Sequence, residues 1–139
     1  MKKLLLFSFM LLSLAGFAQE KKAVIEFKNT EINYGEIKKG DDGTRVFEFT
    51  NTGEAPLIIN RVRSSCGCTI PSKPKQPIMP GKTGKIVVKY DTKRVGPFRK
   101  QITVYSNAKN AVVILKIKGK VIDPNAISLK RKSNSPVVK

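Results

Sequence analysis

Between residues 23 and 122 apolar side chains recur at every second position and almost nowhere at helical spacing. Side chains on a strand alternate between its two faces, so a chain patterned this way buries its apolar half only by stacking sheets. The pattern predicts strands over residues 23–28, 32–37, 44–50, 57–63, 85–91, 98–105 and 112–122. Turn-forming runs separate them: Lys39-Gly40-Asp41-Asp42-Gly43, Asn51-Thr52-Gly53, Pro80-Gly81, Val95-Gly96-Pro97 and Ser106-Asn107. About seven short strands in roughly 100 residues point to an all-β, immunoglobulin-like two-sheet β-sandwich.

Two strands show the expected facing. Phe47 and Phe49 should enter the core, with Val46 and Glu48 outside. In the last strand Leu115 and Ile117 alternate with Lys116, Lys118 and Lys120. A lysine row of this kind suits the solvent face of an outer strand, where it deters edge-to-edge pairing. Pro71, Pro74, Pro77 and Pro80 follow one another every three residues, the repeat of polyproline II, and predict a stiff crossing between the two sheets. Beyond Ile122 the pattern stops, and residues 123–139 read as a basic, flexible tail.

The N-terminal sequence MKKLLLFSFMLLSLAGFAQE has the layout of a secretory signal peptide: a lysine pair, an apolar stretch and small residues before Ala18. Residues 1–18 are expected to be removed, leaving a single domain over residues 19–122 and no transmembrane anchor. The location expected is periplasmic or extracellular. Of 27 lysines and arginines, Lys2 and Lys3 leave with the signal, so 25 face 10 acidic residues, a net charge of +15. In an exported chain such a charge favours a protein or an anionic envelope polymer as partner, and the scattered lysines argue against nucleic acid.

The chain has no histidine, so the usual base for a serine or cysteine nucleophile is missing, and no phosphate-cradling glycine loop leads into a helix. No enzyme activity and no resident cofactor are expected. The exception is the run Ser65-Cys66-Gly67-Cys68-Thr69, which holds both cysteines. A Cys66–Cys68 disulfide closes a ring of only three residues, worth roughly 1.6 kcal/mol at most by loop entropy. Gly67 would help it close by reaching backbone angles shut to other residues. Such a bridge suits a redox pair better than a staple. As thiolates the two could hold Cu(I), with Met79 as the thioether left after signal removal. They could equally pack as small apolar residues.

Several runs taken together resemble one family: Ile32 to Gly40, Phe47 to Ile59 with its Asn51-Thr52-Gly53 turn, Ser65 to Thr69 with Gly67 at its centre, Ile78 to Gly81 with Pro80-Gly81, Gly96 to Lys100, and Ser106-Asn107. The family is the exported bacterial one known as domain of unknown function fifteen-seventy-three, common in Bacteroidota. The resemblance implies an immunoglobulin-like sandwich similar to the Hydin and major sperm protein class and implies no enzyme activity. It marks the Cys-Gly-Cys run as characteristic without giving it a role. The function expected is a non-catalytic binding module, the alternative a thiol protein using Cys66 and Cys68 for disulfide exchange or Cu(I).

Overall fold

The computed structural model describes residues 20–126; the expected signal peptide and residues 127–139 of the expected tail lie outside them. Eight strands follow one another: β1 (Ile25–Phe27), β2 (Glu31–Lys38), β3 (Thr44–Asn51), β4 (Ile59–Ser64), β5 (Thr69–Ser72), β6 (Thr83–Tyr90), β7 (Gly96–Ser106) and β8 (Val112–Ile122). They form two four-stranded sheets, β1-β3-β6-β5 and β2-β8-β7-β4, antiparallel except that β2 runs parallel to β8. This is the predicted all-β sandwich.

The alternation does what it predicts. Phe47, Phe49, Ile86 and Val88 from the first sheet meet Ile102, Val104, Leu115, Ile117 and Val121 from the second, all of them buried, while Val46 and Glu48 face out. Burying each such side chain contributes about 1.5–3 kcal/mol, which makes this interior the main source of stability.

Three expectations are corrected. First, there are eight strands: Thr69–Ser72 pairs with Tyr90–Val87 where the prolines read as a connector. Four residues containing Pro71 are too short to show alternation, and the proline is tolerated because β5 is an edge strand. Second, the crossing between sheets is made by residues 65–68, since β4 lies in one sheet and β5 in the other. The proline-rich stretch instead joins β5 to β6 within one sheet. Third, β8 is an interior strand, paired on both sides, so its lysine row guards no edge. There Lys118 binds Glu31 and Lys120 binds Glu36 across the parallel pair. The edge β2 is protected differently, by a bulge between Asn33 and Glu36 in which Gly35 takes φ of 64°. At the other boundary, residues 124–126 are helical and capped by Asp123, whose carboxylate accepts the Asn125 N–H at 3.0 Å. The start of the expected tail is therefore held to the domain, with Lys39 3.4 Å from Asp123.

Candidate functional site

Asn51, at the end of β3, is completely buried. Its amide donates to the carbonyls of Ala55 at 2.8 Å and Ile78 at 2.9 Å, and its Oδ1 accepts the N–H groups of Gly53 at 3.0 Å and Val24 at 3.4 Å. The Gly81 N–H donates to the Asn51 carbonyl at 2.8 Å, with Gly81 at φ of 74° beyond Pro80. At Gly53 an added Cβ would stand 2.6 Å from the Ala23 carbonyl carbon. The turn signature Asn51, Thr52, Gly53, Pro80 and Gly81 is thus one structural hub that ties β1, β3 and the start of β6 together.

Gly67 belongs to the opposite end of the sandwich. The Asn51 N–H bonds the Lys82 carbonyl, whereas the Asp91 N–H bonds the Cys68 carbonyl. Those two partners are nine residues apart along β6, roughly 30 Å at about 3.3 Å per residue.

At that second end Cys66 and Cys68 form a disulfide, with Cα atoms 5.3 Å apart. The loop carrying it is fixed to both sheets. The Ser65 N–H donates to the Gln101 carbonyl at 2.9 Å, the Gln101 N–H to Ser65 Oγ at 3.1 Å, and the Asp91 N–H to the Cys68 carbonyl at 2.8 Å. The buried Thr69 hydroxyl lies 3.7 Å from Cys66 Sγ and 3.9 Å from Cys68 Sγ. Cys66 is half-buried and Cys68 is 5% exposed.

Two of the roles expected from the sequence change here, those of Met79 and Gly67. Met79 sits beside the Asn51 hub, its carbonyl accepting the Lys82 N–H, so the structure does not bring it to the cysteines as a third soft ligand. Gly67 does not use a positive φ, and a Cβ on it would meet nothing within 4 Å. It is exposed and lies over open space.

Beside the disulfide a cleft of about 250 Å³ is lined by Gly67, Cys68, Ile70, Lys89, Tyr90 and Asp91. Ile70 is 68% exposed, the most exposed large apolar side chain among the described residues. A second cleft, of about 400 Å³, adjoins it across Tyr90 and runs under the Gly40–Gly43 loop. The two aspartates of that loop act as turn residues: Asp41 accepts the Lys38 N–H at 3.1 Å and Asp42 the Thr44 N–H at 2.9 Å. Hydrogen bonds from Thr44 hold the Asp42 carboxyl below its ordinary range.

Beneath the loop the Tyr34 hydroxyl donates to the Gly43 carbonyl at 2.9 Å, and the Arg45 guanidinium covers the Tyr34 ring at 4.3 Å. Burial pushes the Tyr34 phenol up to about 12, against the opposing pull of Arg45. A folded-state value above the unfolded value of 10.0 means that the stabilisation is complete below pH 10.0 and is lost as pH rises through about 12. The urea midpoint should therefore fall over that window, and Tyr34→Phe should flatten the fall.

The outer face of the second sheet is the feature that strand-by-strand reading misses. Register aligns Arg61 with Tyr105 and Val112, and Arg63 with Thr103 and Ile114; below them Gln101 meets Lys116, Arg99 meets Lys118 and Pro97 meets Lys120. Val112 is 54% and Ile114 49% exposed, and the Arg61 guanidinium lies 4.8 Å over the Tyr105 ring. Among the described residues only Glu31 and Glu36 on β2 offset the basic half, and the Lys118 hydrogen bond holds the Glu31 carboxyl below its ordinary range. The exposed β-branched residues at 112 and 114 were the one available signal, since they break the polar-out rule.

Comparisons with known proteins agree with this architecture. A crystal structure of a protein of unknown function from Porphyromonas gingivalis W83 superposes with a TM-score of 0.65 at 17% identity, over 77% of this chain and 50% of that one. The chain thus spans about half the length of that protein. The PapD-like domain 7 of human CEP192, an ASH domain, gives 0.61 at 10% identity, covering 79% of this chain and 96% of that one. The YadV chaperone gives 0.51 at 14% identity, covering 78% and 58%. These likenesses establish the fold. No functionally curated protein matches the sequence. The model of one family, described as protein of unknown function (DUF1573), matches residues 25–121, nearly the whole sandwich, and the chain belongs to that family.

Proposed function

We propose that the protein is an exported, non-catalytic module that binds an acidic protein partner through the outer face of the β2-β8-β7-β4 sheet. The observation that carries this reading is the corner made by Arg61, Arg63, Tyr105, Val112 and Ile114. Tyrosine and arginine around an apolar centre are what protein interfaces enrich, whereas lysine is depleted there. The adjoining Arg99, Lys116, Lys118 and Lys120 supply a positive field that steers an acidic partner toward the corner. The outer face of the other sheet has no such field: its register sets Lys85 against Glu48 and Val87 against Val46.

A photo-crosslinking side chain at position 114, with one at position 46 on the opposite face, tests the reading in the cell envelope. The expected result is a protein adduct from position 114 only, reduced about tenfold or more by Arg61→Glu with Arg63→Glu. It should also weaken with added salt. Equal adducts from both faces overturn the reading. So does binding to an anionic envelope polymer that ignores Ile114→Asp and is lost on replacing Lys116, Lys118 and Lys120.

A further inference from the structure

The geometry around Cys66 and Cys68 points to a second activity, independent of the sheet-face interface: we propose that this disulfide exchanges with the dithiol of a partner polypeptide. As a staple it has little to hold. Its ring spans three residues, and the segment is already fixed by Ser65 to Gln101 on one sheet and by Cys68 to Asp91 on the other. The Cys66 N–H donates to Ser64 Oγ at 3.3 Å as well. Because these bonds do not involve sulfur, the loop keeps its place when the S–S bond opens, and it can close again without refolding.

The surroundings suit an incoming chain. Gly67 presents bare backbone to open space, although neither its φ nor its packing requires glycine. The adjoining cleft offers exposed Ile70 to an apolar side chain next to the partner's cysteine and Lys89 to its carboxylates. Asp91, the acidic group in that cleft, is occupied by Arg94 at 3.4 Å and by the Lys93 N–H. The buried Thr69 hydroxyl has the two sulfurs as its side-chain partners, so it can donate to whichever carries negative charge after cleavage.

The step is balanced by the partner's two thiols. One partner thiolate attacks Sγ of Cys66, the less buried of the two residues, forming a mixed disulfide and releasing Cys68 with the bonding electron pair. The partner's second thiolate then attacks its own sulfur in that mixed disulfide and releases Cys66. Two electrons and two protons pass to the pair: Cys66 and Cys68 end as thiols and the partner ends as a disulfide.

The test uses the oxidised chain, free of its signal, and a short unstructured peptide with two cysteines flanked by leucine and glutamate. Alkylation and intact mass follow the thiols in native buffer. One reduced Cys66–Cys68 pair per oxidised peptide is expected, with the circular dichroism spectrum unchanged. Cys68→Ser, given glutathione disulfide, should form its adduct at Cys66, while Cys66→Ser reacts roughly tenfold more slowly. Thr69→Val should slow native exchange and, in the Cys68→Ser chain given glutathione disulfide, shift the pH dependence of adduct formation upward, and Thr69→Ser should restore both. Reaction with the peptide only in denaturant overturns the proposal, as do equal adduct rates from the two single variants.

Discussion

Asn51→Ala is expected to lower the unfolding free energy by about 3–4 kcal/mol, because it removes the four hydrogen bonds of a side chain that is itself completely buried. The Ala55 carbonyl and the N–H groups of Gly53 and Val24, on half-buried residues, would lose this partner, while the Ile78 carbonyl keeps the Leu57 N–H at 2.9 Å. For a domain near 100 residues this corresponds to a fall in Tm of about 15 °C or more. Asn51→Asp separates the two halves of the role. It keeps the acceptor for Gly53 and Val24, loses both donors and puts a carboxylate in a fully buried position. Its loss at neutral pH should equal or exceed that of alanine and should shrink on acidification, as the neutral carboxyl regains a proton to donate. Thr52→Ala, at the exposed neighbour, should stay within about 0.5 kcal/mol of the parent. Urea denaturation of the three variants reads all of this, and a small loss for Asn51→Ala would remove the hub.

The sandwich was legible because period two survives in long strands. Residues 44–51, 83–90 and 112–122 each place four or more alternations in a row, and their bounds depart from expectation by two residues or fewer. Where strands shorten the signal fades. β5 has four residues and a proline, and so the cysteine loop, not the proline run, proved to be the crossing. Pairing order is a property of the whole chain: nothing within residues 112–122 tells that they lie between β2 and β7. The turn signature was visible as Asn-Thr-Gly and Pro-Gly, yet its convergence depends on Ile78 and Val24, which lie 27 residues from Asn51 on either side. Asn110 acts similarly without any turn motif to mark it: its side chain donates to the Ile25 carbonyl at 2.7 Å and accepts the Ile25 N–H at 3.1 Å, tying the β7–β8 turn to β1. The cysteine pair was legible as chemistry. Its setting required the fold, because Gln101 and Asp91 come from different sheets.

The second large effect comes from a device that both sheets share and that the strand pattern conceals, a glycine paired in register with an aromatic residue. Gly84 pairs with Phe49 and Gly119 with Phe98. A Cβ on Gly84 would come within 2.8 Å of the Phe49 ring, and one on Gly119 within 2.9 Å of the Phe98 ring and 2.8 Å of Tyr34 Cβ. Each ring is packed against another aromatic side chain. Phe49 packs on Phe27 with centroids 5.3 Å apart, and Phe98 stacks on Tyr90 at 3.9 Å with Tyr34 edge-on at 5.2 Å. Gly119→Ala should therefore cost about 2–3 kcal/mol by overpacking and Gly84→Ala a similar amount, whereas Gly67→Ala should cost close to nothing. The ring is the obstacle, so shrinking it should give some of the loss back. Phe98→Leu with Gly119→Ala should be less destabilised than the sum of the two single variants by about 1 kcal/mol or more, and Phe49→Leu with Gly84→Ala likewise. Crossing the pairs, Phe98→Leu with Gly84→Ala, should return simple additivity, since no contact joins them. If urea midpoints show the matched pairs to be additive as well, the glycines serve the backbone of β6 and β8 rather than the space beneath the rings.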